Sequence, residues 1–378
     1  MNNDVILRVL ALMLPRAVRA RYLEEWRADS FAAADAGLRR RDIVRGAAAL
    51  TVTIDRDLPA NTDEPRGAVP RRLARRGLGL FAAAAVVLAG AWLTNGGILP
   101  EGPSTSPQAL DALNTVAWIS LRLAMLAILV GVLYFGRAAI MARTTLARTA
   151  AAAAMTGPIT IALAVTFDPH WTVLLAGIVL SAFGFAAGLA VVTGPSPLSL
   201  ERRVASWSVR LPAAMLGAVV VALILVIGAV DLLVWNPQTQ VPGLSLHAIY
   251  AQMSEVDQFS QSTALVQVTL WAALWGGLAA AVVFRAARRS QTWMTPRRVS
   301  ILLLAIIGGA VFFRFFAGFS IGMSIADTFR TTGANTSIVS AVLPYVGQFA
   351  LATAAVLSGW APKIHNANTS EARDVAVA

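Results

Sequence analysis

Arg122 and Arg314 stand inside long apolar runs, and they are the side chains of this sequence best placed to do chemistry. Arg122 lies in the run 113–135 and Arg314 in the run 299–325. Counted along a helix at about 1.5 Å per residue, each sits roughly 14–16 Å deep in a hydrocarbon layer about 30 Å thick. A guanidinium there costs about 2.5–3.5 kcal/mol to insert, so neither should face lipid. Its planar fork can hold a carboxylate or phosphate with paired hydrogen bonds, which a lysine cannot reproduce. Gln348, in the run 337–360, reaches a similar depth. Arg122, Arg314 and Gln348 are therefore the candidate solute-binding residues, lining a polar cavity for an anionic solute or a lipid headgroup. The structural alternative ties each arginine to helix carbonyls or to an acid near the outer end of a span, such as Asp231.

Their helical neighbours suit an inward-facing position. Arg314, Gly318 and Gly322 share one face at a spacing of four, and small residues mark close helix contacts. Arg122 shares a face with Trp118, Thr115 and Asp111, and Gln348 with Pro344 and Ser337. The stripe Gly177, Ser181, Gly184 and Gly188 reads as helix packing, and Gly157-Pro158 as a kink.

Other chemistries are poorly supplied. There is no zinc-protease, phosphate-loop or serine-elbow motif. The three histidines, His170, His247 and His365, are too far apart for short-range metal ligation, and there is no cysteine. No two carboxylates share one apolar run, which argues against an acidic proton relay. Neither enzymatic activity nor a cofactor is expected.

The elements that must position these residues are membrane spans. Of 378 residues, 57% are hydrophobic and 13% charged, about half the charge of a soluble domain. The apolar surplus is gathered into eight runs: 77–93, 113–135, 146–167, 171–192, 211–235, 263–284, 299–325 and 337–360. Each is long enough to cross a bilayer as a helix. The fold class expected is all-α, a polytopic bundle of eight spans. The first apolar run, 5–14, is short, contains Arg8 and ends at Pro15, so it does not read as a signal peptide.

The net charge of +11 is almost wholly arginine, and its distribution sets the orientation. Fifteen arginines precede residue 77. Others follow alternate spans: Arg137, Arg143 and Arg148; Arg202, Arg203 and Arg210; Arg285, Arg288, Arg289, Arg297 and Arg298; then Lys363 and Arg373 in the tail. The four opposite segments hold one basic residue, Arg330, against Glu101, Asp111, Asp168, Glu255, Asp257 and Asp327. The positive-inside rule then puts both termini in the cytoplasm of a bacterial cell. Basic residues beside spans point to anionic lipid rather than nucleic acid.

Outside the spans, residues 1–58 read as three cytosolic helices, with Asp4 and Asp42 as caps. Val18, Tyr22 and Trp26 form one stripe; Ile43, Ala47, Leu50, Ile54 and Leu58 form another. So little apolar area should lean on the membrane domain, the bilayer or a protein partner. A linker and polybasic segment follows over 59–76, with Arg71, Arg72, Arg75 and Arg76 facing anionic lipid headgroups. Ser245 caps an amphipathic helix in the long outer loop 236–262, fit for the interface. The spans can be read as a parallel repeat, 77–193 and 211–360, and residues 361–378 as a disordered tail.

The stretch LPRAVRARYLEEWRAD, residues 14–29, followed by the helix 42–58, resembles the N-terminal cytosolic segment of actinobacterial membrane proteins with a permease prefix. The resemblance covers about the first 60 of the 378 residues and carries over no site residue. It implies a permease or regulatory setting, although the large extracellular domain of macrolide-export permeases is missing. The reading that results is a permease-like integral membrane protein handling an anionic or amphipathic solute. The alternative is a non-transporting regulatory or sensor protein whose cytosolic helices dock a partner.

Overall fold

The computed structural model of the chain describes residues 3–55, 58–62, 67–93, 107–141, 145–166, 171–193, 207–288, 294–331 and 336–360. Every regular element among them is helical. In chain order these are α1 (Asn3–Met13), α2 (Arg16–Ala32), α3 (Arg40–Thr53), α4 (Pro59–Thr62), α5 (Ala68–Leu93), α6 (Pro107–Met141), α7 (Thr145–Thr166), α8 (Trp171–Thr193) and α9 (Trp207–Val230). A π-turn (Asp231–Trp235) extends α9 into α10 (Asn236–Gln240). Then come α11 (Leu246–Val256), α12 (Gln261–Ala287), α13 (Pro296–Phe329) and α14 (Ile338–Gly359).

Each of the eight apolar runs falls on a helix, the fifth continuing through the π-turn. Six of these helices, α5, α6, α9, α12, α13 and α14, are long and apolar enough to cross a membrane among the described residues. The helices α7 and α8 extend over side chains outside the described set, and the apolar stretch of α8 that is described runs only Trp171–Gly184. The supported architecture is thus all-helical with six membrane-length helices. Helix α5 begins at Ala68, so the arginines at 71, 72, 75 and 76 lie on a helix that runs straight into the apolar segment. The tail 361–378 and the loop 94–106 lie outside the described residues.

The chain forms two compact units, one of Met1–Gly77 with Val132–Ser199, the other of Leu78–Gly131 with Leu200–Ala378. In the first, α1, α2 and α3 enclose a small core of Leu7, Ala11, Leu14, Val18, Trp26, Ala47 and Ile54. Arg19 closes the end of α1 by donating to the carbonyls of Ala11, Leu12 and Leu14 at 3.0, 2.7 and 3.1 Å. The Ala11 carbonyl also accepts from the Leu14 N–H at 3.1 Å, and a cation suits the negative end of the helix. Asp42 is not the cap residue itself. It lies in the first turn of α3 and accepts from the Arg39 backbone N–H at 3.2 Å. Asp4 lies in the first turn of α1 and latches it to α2 through Arg27 at 2.8 Å. That hydrogen bond holds the Asp4 carboxyl below its usual range.

The α7–α8 hairpin in the same unit packs through small residues. A Cβ on Gly184 would lie 2.2 Å from the Ala154 nitrogen, and one on Gly157 would meet Ser181 Oγ at 2.4 Å. Gly177 abuts Ile161 in the same way. The stripe on α8 is a packing seam as expected, with Gly188 outside the described side chains. Pro158 stays within α7, which continues through it.

In the second unit, α9, α12, α13 and α14 interlock around Val221, Leu225, Trp271, Leu303, Ile307 and Leu343, among others. Close approach again uses glycine: Gly217 faces Leu303, Gly308 faces Leu351 and Gly318 faces Leu232. Thr295 and Pro296 start α13 as cap and first residue, with Thr295 accepting from the Arg298 N–H at 3.3 Å. Ser245 caps α11 by accepting from Ala248 at 3.2 Å. Ile249 and Met253 of α11 bury against Ile321 and Ile325 of α13, so this helix is packed onto the bundle.

Candidate functional site

The site grows out of the π-turn. Pro237 has no N–H, so the carbonyl of Leu233 cannot receive the usual bond from four residues on. The helix widens instead. The Asn236 N–H reaches back to the Asp231 carbonyl, and the Tyr250 hydroxyl of α11 donates to Leu233 O at 2.9 Å. Burial pushes the Tyr250 phenol up to about 12, so it stays a donor at any physiological pH. Single π-turns inside helices are frequent at functional sites, and this one opens on a fully buried side chain. That side chain is Asp231, which is 0% exposed.

Three groups converge on the Asp231 carboxylate. Arg314 of α13 donates to Oδ2 and forms an ion pair with it. Ser340 Oγ donates to the same oxygen, and Ser337 Oγ donates to Oδ1. Arg314 also donates to Ser340 Oγ at 2.9 Å and approaches the Gly228 carbonyl at 3.5 Å. Ser337 is the N-cap of α14 and accepts from the Ser340 N–H at 3.0 Å. The carboxylate therefore sits at the positive end of a membrane-length helix as well as beside a guanidinium. Gly228 makes room: a Cβ there would lie 3.0 Å from Trp271 and 3.4 Å from Arg314 Cδ. Trp271 in turn is tied to α13 by its indole N–H, 2.9 Å from the Ala310 carbonyl.

A buried ion pair has a large desolvation cost, offset only when geometry and further hydrogen bonds are good. This one has two hydroxyls, a helix N-terminus and a backbone carbonyl around it. Asp231 also stands where an anion bound to Arg314 would stand. The guanidinium is 5% exposed and neutralised from within the chain. This is the pairing with Asp231 that the structural alternative foresees.

A crevice of about 340 Å³ adjoins the network. Trp235, Ile338 and Val339 give it apolar walls, and Gln238, Thr239 and Ser337 its polar groups. Thr239 Oγ1 bonds Thr336 Oγ1 at 2.9 Å, and Thr336 N–H bonds the Asn236 side chain at 3.0 Å, which pins α10 to the start of α14. Ser337 links the two features, facing the crevice while donating to Asp231.

The three sequence-derived candidates part company. Arg314 is buried in the network just described. Gln348 is half-buried on α14, where its amide lies against Gly90 of α5; a Cβ on Gly90 would fall 2.1 Å from it. Arg122 is exposed on α6, beside Trp118 at 64% exposure. Neither Arg122 nor Gln348 is among the hydrogen-bond partners of Arg314. Sequence reading missed Ser340, although the pair Ser337-x-x-Ser340 opening an apolar run is a legible cap signal. It also took Arg210 and Arg297 for topological charges alone. Arg297 donates to the carbonyls of Leu357 and Ser358 at the end of α14, and Arg210 closes α12 in the same manner. Comparison with family models, with curated proteins and with solved structures finds no match to this chain.

Proposed function

We propose that the chain is a permease-like protein of the bacterial cytoplasmic membrane, with eight spans and both termini in the cytoplasm. It takes an amphipathic solute from the outer side into the crevice over Ser337. The single observation behind this is that an open crevice with mixed apolar and hydroxyl lining shares Ser337 with a fully buried carboxylate. Ionisable groups within spans are costly and cluster at solute and ion paths. A π-turn and a helix N-terminus at the same point are features of sites where spans are interrupted for binding. The polybasic start of α5, Arg71, Arg72, Arg75 and Arg76, meets anionic headgroups on the cytoplasmic face.

Orientation and site are tested together, since there is no native cysteine. Cysteines replacing Ser104 and Ser254 should react with an impermeant thiol reagent added to whole cells, and those replacing Arg143 and Ser290 only after permeabilisation. Reversed labelling would sink the topology. In a thermal-shift panel of amphipathic solutes, a compound that stabilises the native protein should leave Ile338→Trp, which fills the crevice, unmoved. Equal stabilisation of both, or no stabiliser in the panel, counts against a solute site.

A second reading is a non-transporting regulatory protein whose cytosolic helices dock a partner. One observation favours it. Arg314 is wholly committed to Asp231 and Ser340 at 5% exposure, so the bundle is dry where a midplane anion would sit.

A further inference from the structure

Helix α1 is apolar on two opposite sides. Leu7 and Ala11, with Leu14 just past the end of the helix, point into the three-helix core at 1–2% exposure. About half a turn away, Val5, Val9, Leu12 and Met13 are 50%, 54%, 63% and 56% exposed. At 3.6 residues per turn these four form one continuous stripe over the length of the helix. A helix apolar all round belongs in an interior, and the chain covers only one half of this one.

We propose that the second face of α1 lies in the surface of an anionic bilayer, as an interfacial anchor for the N-terminal helices. The position in the chain favours this occupant. Only residues 54–67 separate α3 from α5, whose first turns carry Arg71, Arg72, Arg75 and Arg76 and which continues as a membrane-length helix. Fully extended, that connection spans at most about 50 Å, so the three helices are held near the membrane at high effective concentration. The charges fit as well. Exposed Arg8 flanks the stripe and exposed Arg16 follows its end, while Asp4 is neutralised by Arg8 and Arg27. The size of the stripe decides against a protein. Four half-exposed side chains fall well short of the ~800 Å² each partner buries in a stable protein interface. They are enough for a helix that sinks about 5–10 Å into the headgroup boundary. The inference needs only the membrane-length helices and does not depend on the permease reading.

The test uses the full chain reconstituted in vesicles of equal parts phosphatidylglycerol and phosphatidylcholine. Single cysteines at Val9 and Leu12, both exposed and so tolerant of substitution, carry a bimane label; Ala28→Cys, on the polar side of α2, is the control. Labels at 9 and 12 should be quenched at least twofold more by shallow nitroxide lipids than the label at 28, and correspondingly less by acrylamide. Replacing phosphatidylglycerol by phosphatidylcholine should weaken the lipid quenching. Acrylamide quenching equal to that at Ala28 would overturn the anchor. Shielding from both quenchers would also overturn it, because a protein surface would then be the cover. Unchanged lipid quenching in pure phosphatidylcholine would overturn the anionic preference.

Discussion

Asp231→Asn is expected to destabilise the protein by about 3–5 kcal/mol, because it leaves the Arg314 guanidinium buried without a counter-charge. The asparagine keeps the shape of the carboxylate but offers one acceptor oxygen in place of two. It can accept from Ser337 or from Ser340 and not from both, so the loss reports the charge together with one hydrogen bond. Arg314→Gln should cost a similar amount by stranding the carboxylate, which is 0% exposed. The double variant Asp231→Asn/Arg314→Gln removes both charges and keeps a hydrogen-bonding pair. It should recover most of the stability, since a buried pair often contributes little beyond what neutral groups of the same shape provide. Unfolding of the four proteins in one detergent gives the coupling directly. If Asp231→Asn is neutral, Arg314 finds its counter-charge elsewhere and the network is misassigned. A stable double variant would separate the two readings of function. Under the permease reading it inserts and melts normally but loses solute-dependent stabilisation in the crevice, because Ser337 no longer faces a charge. Under the regulatory reading it keeps any response carried by the N-terminal helices.

How far the sequence foretold this site follows from what a linear pattern can encode. The packing face of Arg314 could be read from spacing, and an acid such as Asp231 was one of the partners that reading left open beside helix carbonyls and a bound anion, because a charge in an apolar helix has few physical solutions. Gly318 on the same face was legible for the same reason, and it does receive Leu232 of the neighbouring helix. Arg122 satisfies the same depth criterion and yet lies exposed on α6. Depth along one helix does not say which side of it other helices cover. The π-turn was not legible either. Pro237 follows Trp235-Asn236 at the end of an apolar run, and such a proline is as compatible with a simple helix stop as with a widened turn. Only the packing of α11, which brings Tyr250 to the freed carbonyl of Leu233, decides between them. The eight runs were legible as helices, because long apolar runs bounded by proline and arginine have one low-energy form in lipid.

The arginines beside the apolar helices show a different limit, and Arg210 is the sharpest test of it. Arginine counts orient a membrane protein whether or not the side chains make contacts, so a topological role hides a structural one. Arg210 is 2% exposed and donates to the carbonyls of Ala286, Arg288 and Met294 at 2.8, 3.0 and 3.4 Å. Helix α12 ends at Ala287, so the carbonyls of Ala286 and Arg288 belong to the end that the helix itself leaves unpaired, and that of Met294 lies just ahead of α13. Arg210→Ala should strand them in a buried position, at about 1–3 kcal/mol for each group that water cannot reach. A loss of about 3 kcal/mol or more in total is therefore expected, with faster amide exchange over the last turn of α12. Arg210→Lys keeps the charge and the topological signal but loses the fork that reaches three acceptors, so it should recover only part of the loss. The exposed Arg298, on the first turn of α13, is the matched control: Arg298→Ala removes the same topological charge without opening a buried site. If Arg210→Ala and Arg298→Ala melt together with the native protein, Arg210 serves orientation alone and its hydrogen bonds carry no stability.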